Sequence, residues 1–389
     1  MNFMLPDYTN SIVNLAASIQ AAYDVIPAHP ALKQLTIHEL KKYDNVVLFL
    51  FDGFGKNLLD AYASRETAFL AAHQRDPVTS VFPSTTTAAI TSLRSGLTPW
   101  EHGALGWTLF FKEYAKFIDF LPNWDSITTK TLPQDSYDTL HMLKFDNIYQ
   151  QINQRHPELQ LYYLTSKYLM GTPYTDRIIQ PATSVPYKNL PQMIKKVEKL
   201  AKKPGQKLIM TYYSDPDHTQ HIEGVFNPKV KSIVTEINDQ LQKLQQRLAG
   251  TKTLCIMTAD HGLTDMKKYY YTEDNEALYD SMILPTFPEP RFISFFIKPH
   301  KKAQFDAAIA QYQDDFRLFT RDEFMESGIL GNGPMHPKVD DFIGDYVLIA
   351  AHHAGMKTTY RQNGRWEKEF KGHHCGLTPD EMLVPLIVF

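Results

Sequence analysis

The sequence predicts an α/β fold built on a mostly parallel sheet, and three observations carry that expectation. Short continuous apolar runs recur along the chain, stretches of helical periodicity separate most of them, and Asp or His residues stand at or just beyond the ends of several runs. A run that is apolar at every position is buried on both faces, as the strands of parallel sheets are. In open sheets of this kind, ligands bind beyond the carboxyl ends of the strands.

The elements follow in chain order. Residues 8–23 place Ile12, Leu15, Ala16 and Ile19 on one helical face, so a leading helix is expected. Val46 to Phe51 is a continuous apolar run closed by Asp-Gly, the best strand candidate in the chain. The segment VFPSTTTAAITSLRSG reads as a turn, an N-cap at Ser84 or Thr85, then a short helix ended by Gly96. An irregular, aromatic-rich stretch runs from Trp107 to Asp146. Further strands are expected at Leu159 to Leu164, Lys207 to Tyr213, Thr253 to Thr258 and Tyr346 to Ala350, with helices at Asn189 to Ala201 and Val230 to Leu248. Residues 268–344 have a different texture and are expected to form a small α+β cap that returns the chain to the core at Tyr346. That leaves 1–267 and 345–389 as the catalytic core.

Composition fits a large enzyme: 389 residues, 43% of them hydrophobic, can bury a sizeable core. A formal net charge of −3 gives no electrostatic reason to expect a nucleic-acid polymer or a membrane surface as partner. The stretch MNFMLPDYTNSIVNLAASIQ lacks a basic segment followed by an apolar one, and no run approaches the roughly 20 apolar residues that span a bilayer. A cytoplasmic location is therefore expected. Cys255 and Cys375 allow at most one disulfide and read as buried thiols. No feature specifies an oligomeric state.

The chemistry concentrates in VVLFLFDGFG at Asp52, YYSDPDHTQH at Asp217 and His221, CIMTADHG at Asp260 and His261, and KGHHCGL at His374. Carboxylates and neutral imidazoles are the ligand set of a Zn²⁺- or Mn²⁺-type site, and one ion seldom uses so many. Two ions about 4 Å apart suit displacement at phosphorus. Asp217 and His221 share a helical face, although that spacing also arises as a plain surface contact. Asp-His-Gly after a buried strand is more specific. Asp52 could equally be a helix cap. A hydroxyl at the start of the Thr-rich helix sits where free N–H groups favour a phosphate, although capping alone would also explain it. His373 competes with His374, and His102 is a candidate for support behind the ligands.

Taken in order, FDGFG, FPSTTTAAITSLRSG, DPDHTQH, TADHG and HHCGLTPDEMLVPLIVF resemble the alkaline phosphatase superfamily, in particular its type I phosphodiesterase and nucleotide pyrophosphatase branch. The resemblance implies a three-layer α/β/α core, two divalent metal ions (most simply zinc, with manganese an alternative), a Thr nucleophile that becomes phosphorylated, and a substrate-selecting cap. Residue by residue, it puts Asp52, Thr86, Asp260 and His261 at one metal and Asp217, His221 and His374 at the other, with Thr86 the nucleophile. An Asn that helps hold a phosphoryl oxygen is expected at position 89, where this chain has Ala89.

The expected function is hydrolysis of a phosphodiester or phosphoanhydride in a small phosphate ester or nucleotide-like substrate, through a phosphothreonine. A phosphomonoesterase or phosphonate hydrolase on the same site is the alternative, and a catalytically silent metal-binding protein is the alternative of another class. Trp107, Phe110, Phe111 and Tyr114 follow the nucleophile helix closely enough to stack on a flat leaving group, or else form a small core of their own.

Overall fold

The computed structural model describes residues 3–359 and 369–389. Seven strands form its central sheet: β1 Asn45–Phe51, β2 Gln74–Thr79, β3 Gln160–Ser166, β4 Thr183–Tyr187, β5 Lys207–Tyr213, β6 Thr253–Thr258 and β7 Leu383–Val388. Their order is β2-β7-β6-β1-β5-β3-β4. Strands β6, β1, β5, β3 and β4 run parallel, β2 shares their direction, and β7, between β2 and β6, alone runs opposite. Every residue of β1 is buried, because the strand has a partner on each side and helices over each face.

The helices fall into two groups that cover the sheet as a three-layer α/β/α core. In one, α1 Ile12–Ala22 packs on α2 Thr86–Ser95; in the other, α3 Leu190–Ala201 and α5 Pro228–Arg247 pack together, with α4 Asp217–Glu223 against α5. Helix α2 is enclosed on all sides, which its small side chains allow. Thr85 is its N-cap, and it stops at Gly96, whose φ of +74° places it in the left-handed region that favours glycine.

A second, four-stranded antiparallel sheet holds Phe287–Glu289, Phe292–Phe295, Tyr346–Ala350 and Phe316–Thr320 in that order. The run Tyr346–Ala350, expected as a further strand of the mostly parallel sheet, is a strand as read but lies in this second sheet. Tyr346, Leu348 and Ala350 point into a small core with Ile293, Phe295 and Phe305, whereas Val347 and Ile349 join the main core. Two cores on opposite faces make the run as apolar as a strand of a parallel sheet. The aromatic stretch forms a meander of four short antiparallel strands, Thr108–Phe111, Lys116–Asp119, Trp124–Asp125 and Lys130–Thr131. Both cysteines are free and buried. Among the described residues, no helix is long and apolar enough to cross a membrane.

Candidate active site

The site is assembled at the carboxyl ends of β1, β5 and β6. Asp52 follows β1; its N–H donates to the Tyr213 carbonyl (2.9 Å) and its carbonyl accepts from the Asp217 N–H (3.0 Å). Between them Gly53 has a φ of +67°, and a Cβ there would lie 2.7 Å from that of Asp217. Only glycine permits this turn and lets α4 begin so close to β1. Asp217 opens α4, and His221, one turn on, brings its Nε2 to 3.3 Å from Asp217 Oδ1. Asp260 follows β6, where its Oδ1 accepts the N–H groups of Gly53 (3.1 Å) and His261 (3.0 Å). A Cβ on Gly262 would lie 2.1 Å from the Asp380 carbonyl oxygen, which accounts for the glycine of Asp-His-Gly. His374 arrives from a two-residue strand, Gly372–His373, paired with Thr264–Asp265.

All three imidazoles are oriented alike. Nδ1 of His221 donates to the Gly372 carbonyl (2.8 Å), Nδ1 of His374 to that of Ser84 (3.1 Å), and Nδ1 of His261 to that of Gly262 (3.2 Å). A carbonyl can only accept, so each ring carries its hydrogen on Nδ1 and presents a bare Nε2. Backbone carbonyls commonly orient metal-binding histidines in this way. His261 Nε2 lies 3.5 Å from Asp52 Oδ1 and 3.6 Å from Asp260 Oδ2, and His374 Nε2 lies 3.9 Å from Asp217 Oδ1.

The donor atoms of Asp52, Asp260 and His261 lie within 4.8 Å of one another, and so do those of Asp217, His261 and His374. Asp52 Oδ1, Asp217 Oδ1 and Asp260 Oδ2 are buried without a hydrogen-bond partner. Burial, then the charges of Asp260 and Asp217, raise Asp52 well above the usual carboxylate range; burial and Asp260 do the same to Asp217. Burial lowers His221 to about 4 and, with His261 and His221 beside it, His374 well below its ordinary value. Buried carboxylates that repel one another, facing neutral imidazoles with open lone pairs, are suited to cations. The donors fit divalent ions of the Zn²⁺ or Mn²⁺ type.

The three threonines separate cleanly. The Thr85 hydroxyl donates to Glu289 Oε1 (3.0 Å), and Thr87 is wholly buried in α2. Thr86, the first residue of α2, directs its hydroxyl at His261 Nε2 (3.1 Å). It alone faces the Asp and His cluster.

Other positions read from the sequence fall elsewhere. Phe111 does not line a pocket mouth: it is buried, with Phe120 at 6.4 Å and Phe342 edge-on at 5.6 Å. Phe110 packs on Phe117 and Phe287, and Tyr114 on Tyr137. These rings join or pack against the main core, and of the four positions Trp107 is the substantially exposed one, at 40%. His102 does not support the site either: its Nδ1 accepts from the Ala104 N–H and its Nε2 donates to the Ser92 hydroxyl. His373 spends its Nδ1 on the His374 N–H (2.9 Å), so it is His374 that addresses Asp217. Ala89 is enclosed within α2. Two groups near the site were not foreseen. The Tyr212 hydroxyl donates to Asp52 Oδ2, and Glu289 accepts from both Thr85 and the Trp107 N–H (2.8 Å).

The family model described as type I phosphodiesterase / nucleotide pyrophosphatase matches residues 46–376. No curated protein matches the chain in sequence. Among solved structures, it is similar to human ectonucleotide pyrophosphatase / phosphodiesterase 5 (18% identity, 88% of this chain and 87% of that one, TM-score 0.65). It is also similar to an inactive form of the murine protein in complex with AMP (16%, 88% and 87%, TM-score 0.64). A third is the phosphonoacetate hydrolase of Sinorhizobium meliloti 1021 in complex with phosphonoformate (18%, 88% and 89%, TM-score 0.62). At these identities the likenesses show a shared fold.

Proposed function

The chain belongs to the type I phosphodiesterase / nucleotide pyrophosphatase family of the alkaline phosphatase superfamily and is a phosphoric-ester hydrolase; on that premise we propose that it cleaves phosphodiester or phosphoanhydride bonds through a phosphothreonine at Thr86. The observation that carries this reading is the Thr86 hydroxyl at the head of a buried helix, aimed into a cluster of Asp and His side chains with unpartnered acceptor atoms.

Asp52, Asp260, His261 and the Thr86 oxygen would hold one divalent ion, and Asp217, His221 and His374 the other. When bound, the ions supply positive charge at the attacking and leaving oxygens. The chain's own residues set the geometry. The amino end of α2 presents free N–H groups toward a phosphoryl oxygen, and the carbonyls of Gly372, Ser84 and Gly262 fix the imidazole orientations. Thr86, as its alkoxide, attacks phosphorus in line, and the leaving oxygen departs with the electron pair of its bond. Water then cleaves the phosphothreonine, releasing the phosphoryl product and restoring the threonine.

The second sheet, which runs from Phe287–Glu289 to Tyr346–Ala350, is read as part of a substrate-selecting cap, and the reach of Glu289 to Thr85 supports that reading. A small-molecule ester is the favoured substrate, and the exposed Trp107 ring is the candidate platform for a flat leaving group.

The deciding experiment incubates metal-loaded protein with a chromogenic diester, a monoester and a phosphonate, then quenches it in acid for peptide mass spectrometry. Turnover of the diester with phosphate on Thr86 is the expected result. Turnover with no trapped adduct on any threonine would overturn the covalent route, and no turnover of any of the three would overturn the activity.

A further inference from the structure

We propose that Ser84 is a positioning residue that joins the nucleophile turn to the half of the site formed by Asp217, His221 and His374. The inference rests on the function proposed above and deepens it by naming what holds Thr86 and His374 in fixed relation.

In the turn before α2, three successive hydroxyls reach three separate parts of the chain. Thr86 faces His261 Nε2 (3.1 Å) and Thr85 donates to Glu289 Oε1 (3.0 Å), whereas Ser84 donates to the Gly376 carbonyl at 2.8 Å. Ser84 meets that same loop a second time, because its own carbonyl accepts from His374 Nδ1 at 3.1 Å. The two bonds run in opposite directions and enclose only His374, Cys375 and Gly376. Ser84 is wholly buried, and these partners lie 290 and 292 residues away. One residue thus clamps, at two points, the loop that carries a candidate ligand.

The loop needs such a clamp. Cys375 has a φ of +93°, which a residue with a side chain adopts only when its surroundings hold it there. On the other side Glu381 Oε1 accepts the Gly376 N–H at 2.8 Å, so both backbone polar groups of Gly376 are engaged. The imidazoles close the circuit: His374 stacks on His261 with ring centroids 3.9 Å apart, and His261 faces the Thr86 hydroxyl. Thr86 is therefore tied to His374 both through Ser84 and through His261. Without the Ser84 hydroxyl, the buried Gly376 carbonyl loses its donor and the loop is free to shift, carrying His374 away from its place relative to the attacking oxygen.

Ser84→Ala deletes the hydroxyl, and Ser84→Thr keeps it. Zinc titrated against a chromophoric chelator should give two dissociation constants for wild type. In Ser84→Ala one should weaken about 10- to 100-fold and the other stay within about twofold, whereas Ser84→Thr should resemble wild type. Adding Ser84→Ala to His374→Ala should leave zinc binding as it is in His374→Ala alone, because Ser84 acts through that imidazole; a residue that merely supports the fold costs as much in either background. At saturating zinc, kcat for methyl p-nitrophenyl phosphate should fall about tenfold in Ser84→Ala with KM little changed. Unchanged constants, equal weakening of both, a full further loss in the His374→Ala background, or a folded Ser84→Thr that behaves like Ser84→Ala overturns the proposal. Should Ser84→Ala not fold, Ser84→Cys, whose thiol is a weak donor, takes its place under the same criteria. If wild type cleaves no ester, the functional reading fails, and the zinc titrations alone decide Ser84.

Discussion

The Tyr212 hydroxyl donates to Oδ2 of Asp52, so a residue near the end of β5 fixes the carboxylate at the end of β1. With Oδ2 occupied, Oδ1 is the atom turned toward His261 Nε2, 3.5 Å away. Tyr212→Phe should fold normally and weaken metal binding about 10- to 100-fold, as loss of such supporting bonds does. Competition with a chromophoric chelator measures it, and an unchanged affinity would show that Asp52 needs no orienting partner.

Thr86→Ala should lose about 10³-fold or more in rate, about 4 kcal/mol of barrier. Thr86→Ser should retain part of the activity. Thr85→Ala, which removes one donor to Glu289, and Thr87→Ala, which alters only the interior of α2, should cost far less. A dead Thr85 or Thr87 variant beside an active Thr86 variant would place the nucleophile elsewhere.

Exhaustive chelation should abolish turnover, and Zn²⁺ or Mn²⁺ should restore it. Because cations would relieve repulsion among Asp52, Asp217 and Asp260, the metal-loaded protein should also melt higher, by an amount that grows with metal concentration. Full activity in protein shown by elemental analysis to be metal-free would contradict this.

The aromatic residues after the nucleophile helix should divide into two kinds. Phe111→Ala, which empties a packed site, should cost about 3–5 kcal/mol of stability with no preference among substrates. Trp107→Ala should leave stability nearly unchanged and raise KM for diesters with flat leaving groups, by about 1–3 kcal/mol in binding. Urea melts and a two-substrate KM comparison distinguish them.

Glu381 supplies a pH-dependent contribution away from the ligands. Burial pushes its pKa up, but Arg291, bonded to both carboxylate oxygens at 2.6 and 2.8 Å, together with Thr378 and the Gly376 N–H, holds it below the ordinary glutamate value. A lowered folded pKa means stability that is present above the unfolded value of about 4.5 and lost as pH falls through the folded one. Glu381→Gln strands a buried guanidinium and should cost about 3–5 kcal/mol at neutral pH. The gap from wild type, followed by urea denaturation, should narrow as pH falls below about 4.5.

What the sequence disclosed depended on burial and distance. Strands β1, β5 and β6 were legible because they are central and apolar nearly throughout, and donor atoms of Asp52, Asp217, Asp260 and His261 beyond their ends lie close together, with His374 beside them. Edge strands β2 and β4 were not: QRDPVT and TSVPY are half-exposed and contain Pro77 and Pro186, so neither continuous burial nor alternation marks them. Tyr346–Ala350 misled because burial against two cores imitates burial in a parallel sheet. Tyr212 and Glu289 carry no local signal at all; their partners lie 160 and 204 residues away, and only the fold brings them together.

The central place of β1 also bears on how the chain reaches this state. Its two neighbours come late: Asn45 is bonded to Lys207 and Thr253, 162 and 208 residues further on. During synthesis NVVLFLF therefore waits unpaired until more than half the chain has emerged, as an uncharged, proline-free segment of the kind that self-associates. Pairings so distant make for slow folding, and the segment is fully sheltered once they have formed. The strand that organises the finished enzyme is the segment most exposed to misassembly while the enzyme is being made.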